Sequence, residues 1–399
     1  MRVATWKWVF VALAAVLLLG AGVLITGCSD RTNPVTPGFA QLAIPFTQAY
    51  GFEASLGNNA LRDDPSRNIC IYLPPGYGQP GEGRPYPVLY LLHDFGYDHT
   101  QFGMHGLYTL ANDLLAKGEI KPMLIVTVDA SNSFGLGMYA NSEVCGNYED
   151  MIVQELIRAI ERTYNVHKSG GRLARAIGGL GFGGQAAMKL AIKRPDLFSS
   201  VSALNAPLAY AGDGQTTDGL RGLFKYYFIE NNVTPGQYNA YAAVRPQPST
   251  PITGMLFAMA AAYSPTQDRR YLRPYTVQYT IPGYNDVVYF ELPFDHRMYI
   301  EEPVWQRWMQ HDVRTLLAAS PHALDNIAVY LDAAQQDQYG FQLQTALLAH
   351  DLDMAGTVSY EYNTYMGTAG IPADHESLVS TRLAALLKFH SARLAQPAE

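Results

Sequence analysis

Apolar and polar positions along the chain follow two periods in turn. Short, nearly continuous apolar runs predict strands at 69–75 (ICIYLPP), 86–93 (YPVLYLLH), 122–129 (PMLIVTVD), 173–180 (LARAIGGL), 197–205 (LFSSVSALN), 326–332 (NIAVYLD) and 357–363 (TVSYEYN). Between them the spacing turns helical. LYTLANDLLAKG (107–118) ends on a glycine, and in 148–164 the apolar residues Val153, Leu156, Ile157, Ile160 and Tyr164 form one stripe. Further helices are predicted at 184–193, 340–350 and from about His375 to Leu394. Apolar strands alternating with helices predict a mostly parallel sheet covered on both faces. The alternation breaks between about 206 and 320, a Tyr- and Pro-rich stretch read as an inserted lid or flank. The strand at 326–332 is needed to continue the sheet, so a separate domain there is disfavoured.

The N-terminus changes the picture. A basic start (Arg2, Lys7), an apolar run from Trp8 to Ile25 and the ending LITGCSD form a secretory signal over 1–27. The ending resembles the bacterial lipobox, which makes Cys28 the lipidated N-terminus. Ser29 after it favours the outer membrane, facing the periplasm or the cell surface, by resemblance to sorted lipoproteins. An uncleaved anchor is the alternative, since the run is long enough to span a bilayer. Residues 28–40 read as a polar, lipidated tether and 41–399 as the folded domain. Removing Arg2 and Lys7 from the 28 basic residues leaves 26 against 35 acidic ones, a net charge of −9. Without a basic stripe, nucleic acid is not an expected partner. Cys70 and Cys145 remain as a candidate disulfide in an oxidising compartment, with two separately buried thiols as the alternative.

The segment GGLGFGGQ (178–185) lies between a predicted strand and a predicted helix. Gly179, Gly181 and Gly184 satisfy the dinucleotide pattern G-x-G-x-x-G. That pattern needs an acid at the far end of the following strand. Asp196 precedes that strand instead, and the loop follows a late strand rather than the first. Gly179 and Gly183 also fit the outer glycines of the nucleophile elbow G-x-S-x-G, with Gly181 in the serine position. A cluster of zinc-type side chains, His93, Asp94, Asp98, His99 and His105, lies in HDFGYDHTQFGMH (93–105). It lacks the spacing of a helical metal motif. No metal or cofactor is expected.

Several blocks carry a resemblance that decides between the two loops. ASLGNNALRDDPSRNICIYLPPGYG (54–78), YPVLYLLHDFG (86–96), the segment 138–166, RAIGGLGFGGQAAMKLAIKRPDLFSSVSALNAPL (175–208) and LDAAQQDQYGFQ (331–342) are similar to the putative-esterase family of α/β-hydrolases. That group includes esterase D and the enterochelin-esterase-like proteins. The resemblance covers most of 50–390 and implies the α/β-hydrolase fold with an inserted lid. It also implies a Ser–His–acid triad in which an acid orients the histidine that activates the serine. The acid falls on Asp337, with Asp332 as the alternative at a strand end, and the histidine on His375. The oxyanion-hole amides fall on Phe95 and Phe182. Two departures stand out. The nucleophile position is Gly181, which has no side chain, and the family's glycine after the strand-end histidine is Asp94, whose charge near the hole would repel an oxyanion. The expectation is a pseudoenzyme with a vestigial triad that binds a small ester, sugar or peptide at the cell envelope. The alternative is an active carboxylic-ester hydrolase, of carbohydrate or feruloyl ester type, in which His375 and Asp337 activate water.

Overall fold

The computed structural model describes residues 29–30, 45–78, 83–266, 272–356, 358–367 and 373–397. The signal segment 1–27 and Cys28 lie outside the described residues.

The apolar runs become the strands of one sheet: β1 (Ser29–Asp30), β2 (Phe46–Gly51), β3 (Ser66–Tyr72), β4 (Val88–Leu92), β5 (Leu124–Val128), β6 (Arg175–Leu180), β7 (Ser200–Leu204), β8 (Ala328–Ala334) and β9 (Tyr360–Tyr365). Their order is β1-β2-β3-β5-β4-β6-β7-β8-β9. The pairs β2–β3 and β3–β5 are antiparallel, and every other neighbouring pair is parallel. β4, β5 and β7 are buried at every position, as strands covered on both faces must be. β2 is an element that the apolar pattern does not single out. Its pattern of burial alternates towards its exposed end, as on a half-solvated strand. Ser29 and Asp30, at the start of the expected tether, pair with Phe46 and Thr47.

Helices cover the sheet: α1 (Leu107–Ala116), α2 (148–163), α3 (Phe182–Lys193), α4 (Phe341–Ala355) and α5 (Val379–Arg393). α2 departs from the single α-helix that its spacing predicts, because it takes π geometry over Met151–Leu156. The last helix starts at Val379, so His375 sits in the turn before it. α3 is buried along nearly its whole length. It approaches the sheet so closely that a Cβ on Gly183 would lie 2.0 Å from the Leu92 carbonyl oxygen. The stretch between β7 and β8 holds five helices of its own among the described residues, and the hairpin Thr276–Thr280/Val287–Glu291. These pack a Tyr- and Phe-rich core in which Phe224, Tyr227, Phe228 and Tyr241 gather round Phe294.

Cys145 is a free, buried thiol, so the Cys70–Cys145 bridge is not formed. Cys145 and Cys70 belong to different apolar clusters of the core. Burial pushes the Cys145 thiol up to about 12, which makes it unreactive. Asp332 does not end its strand. It lies inside β8, fully buried, and pairs with Arg382 of α5, whose Nε donates to Oδ2 at 3.0 Å.

Candidate active site

β6 delivers the chain to Gly181, and α3 begins at Phe182. Gly181 has φ +56° and ψ −123°, a left-handed backbone that costs any residue with a Cβ about 1–3 kcal/mol. Its N–H donates to the Leu204 carbonyl of β7 at 2.8 Å, and its carbonyl accepts from the Gln185 N–H at 3.0 Å. The turn therefore has the sharp strand-to-helix geometry of an elbow. Asp196, the acid that a dinucleotide loop would need, lies beyond α3 on the surface and pairs with Arg194 at 2.7 Å.

The turn after β4 meets this elbow through Asp94. One carboxylate oxygen, Oδ1, accepts the Phe182 N–H at 2.8 Å and the Phe95 N–H at 2.7 Å. These are the two amides expected to form an oxyanion hole, and the carboxylate fills it. Asp94 is therefore not beside the hole as an external repulsive charge, as its position in the sequence suggests. It accepts both of those amides itself. The carboxylate also occupies the space of a nucleophile. A Cβ on Gly181 would lie 2.1 Å from Cγ and Oδ1 of Asp94 and 2.2 Å from Oδ2.

The second oxygen, Oδ2, meets Nε2 of His375 at 2.8 Å, and Nδ1 of His375 meets Oδ2 of Asp337 at 2.7 Å. His375 faces the elbow from the turn before α5, and Asp337 reaches it from the loop after β8. Burial alone would lower the histidine's pKa. Hydrogen bonds to Asp337 and Asp94, and their charges, outweigh burial and raise it to about 10. At neutral pH His375 is an imidazolium between two carboxylates. Both of its ring N–H groups are used as donors.

Residues that the motifs do not mark hold this arrangement. Asn205, at the end of β7, donates to the His375 carbonyl at 2.8 Å and accepts the Ala334 N–H at 2.6 Å. Arg382 donates to the same His375 carbonyl at 3.2 Å. The Gln101 side chain accepts the Asp94 N–H at 2.9 Å. Tyr339 and Phe341 set their rings edge-on to the imidazole, with centroids 5.3 Å and 5.6 Å away. Several lie within segments quoted above, but nothing in those segments singles them out. The Asn in ALN, directly after a buried strand, is a weak signal that could have been followed.

The zinc-type cluster after β4 disperses. His93 is fully buried. It donates from Nδ1 to the Asp94 carbonyl at 2.8 Å and accepts the Ala130 N–H on Nε2 at 2.9 Å. Burial lowers its pKa and keeps it neutral. Asp98 caps the following turn through the N–H and hydroxyl of Thr100. Among the described residues no group of three or more His, Cys, Asp or Glu is arranged to hold a metal ion. A cavity of about 430 Å³ opens beside the turn that carries Asp94 and is lined by Gly96, Tyr97, Asp98, Thr100, Met104, Ser131 and Gly135.

Comparisons with known proteins agree with the geometry at the level of fold and family. The sequence model described as putative esterase matches residues 62–367. An endo-1,4-β-xylanase/feruloyl esterase of Xylanibacter ruminicola is 33% identical over 132 residues, which is 32% of this chain and 18% of that protein. An esterase of Mycobacterium tuberculosis is 33% identical over 154 residues, 36% of this chain and 30% of that protein. The matched region thus spans less than a third of either relative. Among solved structures, a ferulic acid esterase superposes with a TM-score of 0.53 at 18% identity, covering 88% of this chain and 98% of its own. An S-formylglutathione hydrolase from Agrobacterium tumefaciens gives 0.54 at 16% identity, covering 91% and 100%. At these identities the structural likeness carries the α/β-hydrolase fold and nothing finer.

Proposed function

This chain belongs to the putative esterase family, and we propose that it no longer runs acyl transfer through a serine and instead holds a small neutral ligand in its cleft at the cell envelope. One observation carries the reading. The carboxylate of Asp94 occupies both the oxyanion hole and the space beside a nucleophile position that is glycine. A tetrahedral oxyanion and that carboxylate compete for the same two amides. Removal of a triad serine costs about 10⁶ in turnover, and loss of the hole removes the donors that account for much of the remainder. His375 also lacks a free lone pair for taking a proton while both of its ring N–H groups donate to Asp337 and Asp94. That counts against hydrolysis by water which His375 and Asp337 activate directly. The cavity beside Asp94 is lined by Asp98 and, among the described residues, by no basic residue, which disfavours anionic ligands and suits a neutral ester, sugar or peptide. Export and lipid attachment through Cys28 to the outer membrane belong to the same proposal and rest on the LITGCSD ending.

Incubation of the purified protein with a fluorophosphonate probe, with aryl acetates and with feruloyl esters tests the reading. The expected result is no labelled serine and no turnover above a boiled control. Labelling mapped to a serine in the cleft would overturn it. Palmitate labelling of wild type and of Cys28→Ser in cells tests the anchor, and equal labelling of both would remove it.

A further inference from the structure

We propose that Asp94 is itself a nucleophile, and that the site opens epoxides through a covalent ester of Asp94 and hydrolyses that ester to a vicinal diol. The inference keeps the absence of acyl-serine chemistry and goes beyond ligand binding. It rests on the way the two carboxylate oxygens are divided. Oδ1 sits between the Phe95 and Phe182 amides, and Oδ2 faces His375, which Asp337 orients. If Oδ2 becomes bonded to carbon, Oδ1 becomes the carbonyl oxygen of an ester. That carbonyl already lies in an oxyanion hole, beside a histidine–aspartate pair. The family's machinery for hydrolysing an ester then acts on an ester made from the protein's own side chain. A carboxylate placed only to plug the cleft would not need this partition.

The substrate class follows from the protons. Oδ2 attacks a ring carbon, the carbon–oxygen bond breaks, and its electron pair goes to the ring oxygen. His375 is protonated at rest and gives its Nε2 proton to that oxygen, which needs one to leave. The products are a hydroxyalkyl ester of Asp94 and a neutral imidazole. Alkylation also removes one of the two negative charges that kept His375 protonated, so the imidazole can now act as a base. It takes a proton from water, whose oxygen attacks Cγ, and the negative charge gathers on Oδ1 between the two amides. Collapse breaks the Cγ–Oδ2 bond, and the departing alkoxide takes the proton from His375. The new carboxylic acid returns its proton to His375. The sum is epoxide plus water giving diol, with no other reactant. An acyl ester would instead give a high-energy anhydride with Asp94, which is why a saturated, strained carbon is the better electrophile. Asp94 is 7% exposed and lies two residues before Gly96 in the lining of the 430 Å³ cavity, the side from which a substrate would approach.

Styrene oxide is a suitable probe. In wild-type protein, one turnover in water enriched in heavy oxygen should place the label in the Asp94 carboxylate and not in the first diol released. Peptide mass mapping reads the carboxylate and gas chromatography reads the diol. In His375→Gln, both the adduct of one styrene oxide on the peptide containing Asp94 and the diol should be lost, because ring opening has lost its acid and hydrolysis its base. Asp94→Asn should lower diol formation to background, since it removes the nucleophile. Label found in the diol after the first turnover would show direct attack by water and overturn the proposal. No diol above background, or alkylation as frequent in Asp94→Asn as in wild type, would do the same. The wild-type labelling experiment decides even if His375→Gln does not fold. Fluorophosphonate labelling reports separately on the loss of serine chemistry, so failure of either claim is recognisable.

Discussion

Two buried histidines near the C-terminus form an instructive pair. His375 and His390 are both sealed from solvent, and each uses both ring nitrogens in hydrogen bonds. His375 lies between the carboxylates of Asp94 and Asp337. His390, on α5, lies between the hydroxyls of Ser200 and Ser202 on β7, at 2.8 Å and 2.9 Å. The first has its pKa raised to about 10. In the second, burial with no compensating carboxylate, and then the charge of Arg393, lower it to about 3. Equal burial thus gives opposite charge states, because a neighbouring carboxylate is worth more to an imidazolium than dehydration costs it. The pair also separates resemblance from chemistry. Among the described residues, the histidine–serine contacts that these two residues make are in the His390 cluster, which is closed inside the core. The cleft, where a serine–histidine contact would do work, has an aspartate.

The largest expected effect would break the comparison by giving His375 a serine. Gly181→Ser alone should stay unlabelled by fluorophosphonate, since its Cβ would overlap the Asp94 carboxylate and its backbone is strained by about 1–3 kcal/mol. Asp94→Gly alone supplies no nucleophile. Asp94→Gly combined with Gly181→Ser empties the hole, fills the elbow and removes one carboxylate from His375. Labelling of the double variant should exceed either single variant by at least about 10³-fold. Equal labelling of Gly181→Ser and the double variant would show that Asp94 does not control the site.

A middle-sized effect concerns pH and sharpens the contrast. The folded pKa of His375 lies above the unfolded value of about 6.5. Its contribution to stability is complete below about pH 6.5 and is lost as the pH rises towards 10. The folded pKa of His390 lies below the unfolded value. Its contribution is complete above about pH 6.5 and is lost as the pH falls towards 3. Urea midpoints measured across this range should therefore fall on both sides of neutrality. Asp337→Asn should cost about 3–5 kcal/mol near pH 7 by leaving buried charge short of a partner. It should also flatten the alkaline limb while sparing the acid one. An unchanged alkaline limb in this variant would refute the imidazolium assignment.

The smallest effect lies in the core cluster. Ser200→Ala leaves one nitrogen of His390 without its hydroxyl and should cost about 1–3 kcal/mol in urea denaturation. Fluorophosphonate labelling and reactivity towards styrene oxide should not change. A change in either would mean that the two histidines are coupled through α5.

The sequence by itself determined the alternation of buried strands and helices, because a side-chain period is a local property that burial on one or two faces imposes. It also marked the elbow through the spacing of Gly179, Gly181 and Gly183, and it ordered Asp337 before His375. Each of those signals is written in a few neighbouring residues. It left the rest undecided. Whether Asp94 stood beside the oxyanion hole or inside it depends on a side chain meeting an amide 88 residues away and a ring 281 residues away. Cys145 could be paired or free, Asp332 could end a strand or lie within one, and Asn205 carried no motif at all. Only tertiary packing decided these, and for Asp94 it was the packing of the turn after β4 against the elbow and the turn before α5. Hydrogen bonds and charges act through distance in space, and the spacing of residues along a chain records that distance only within single elements.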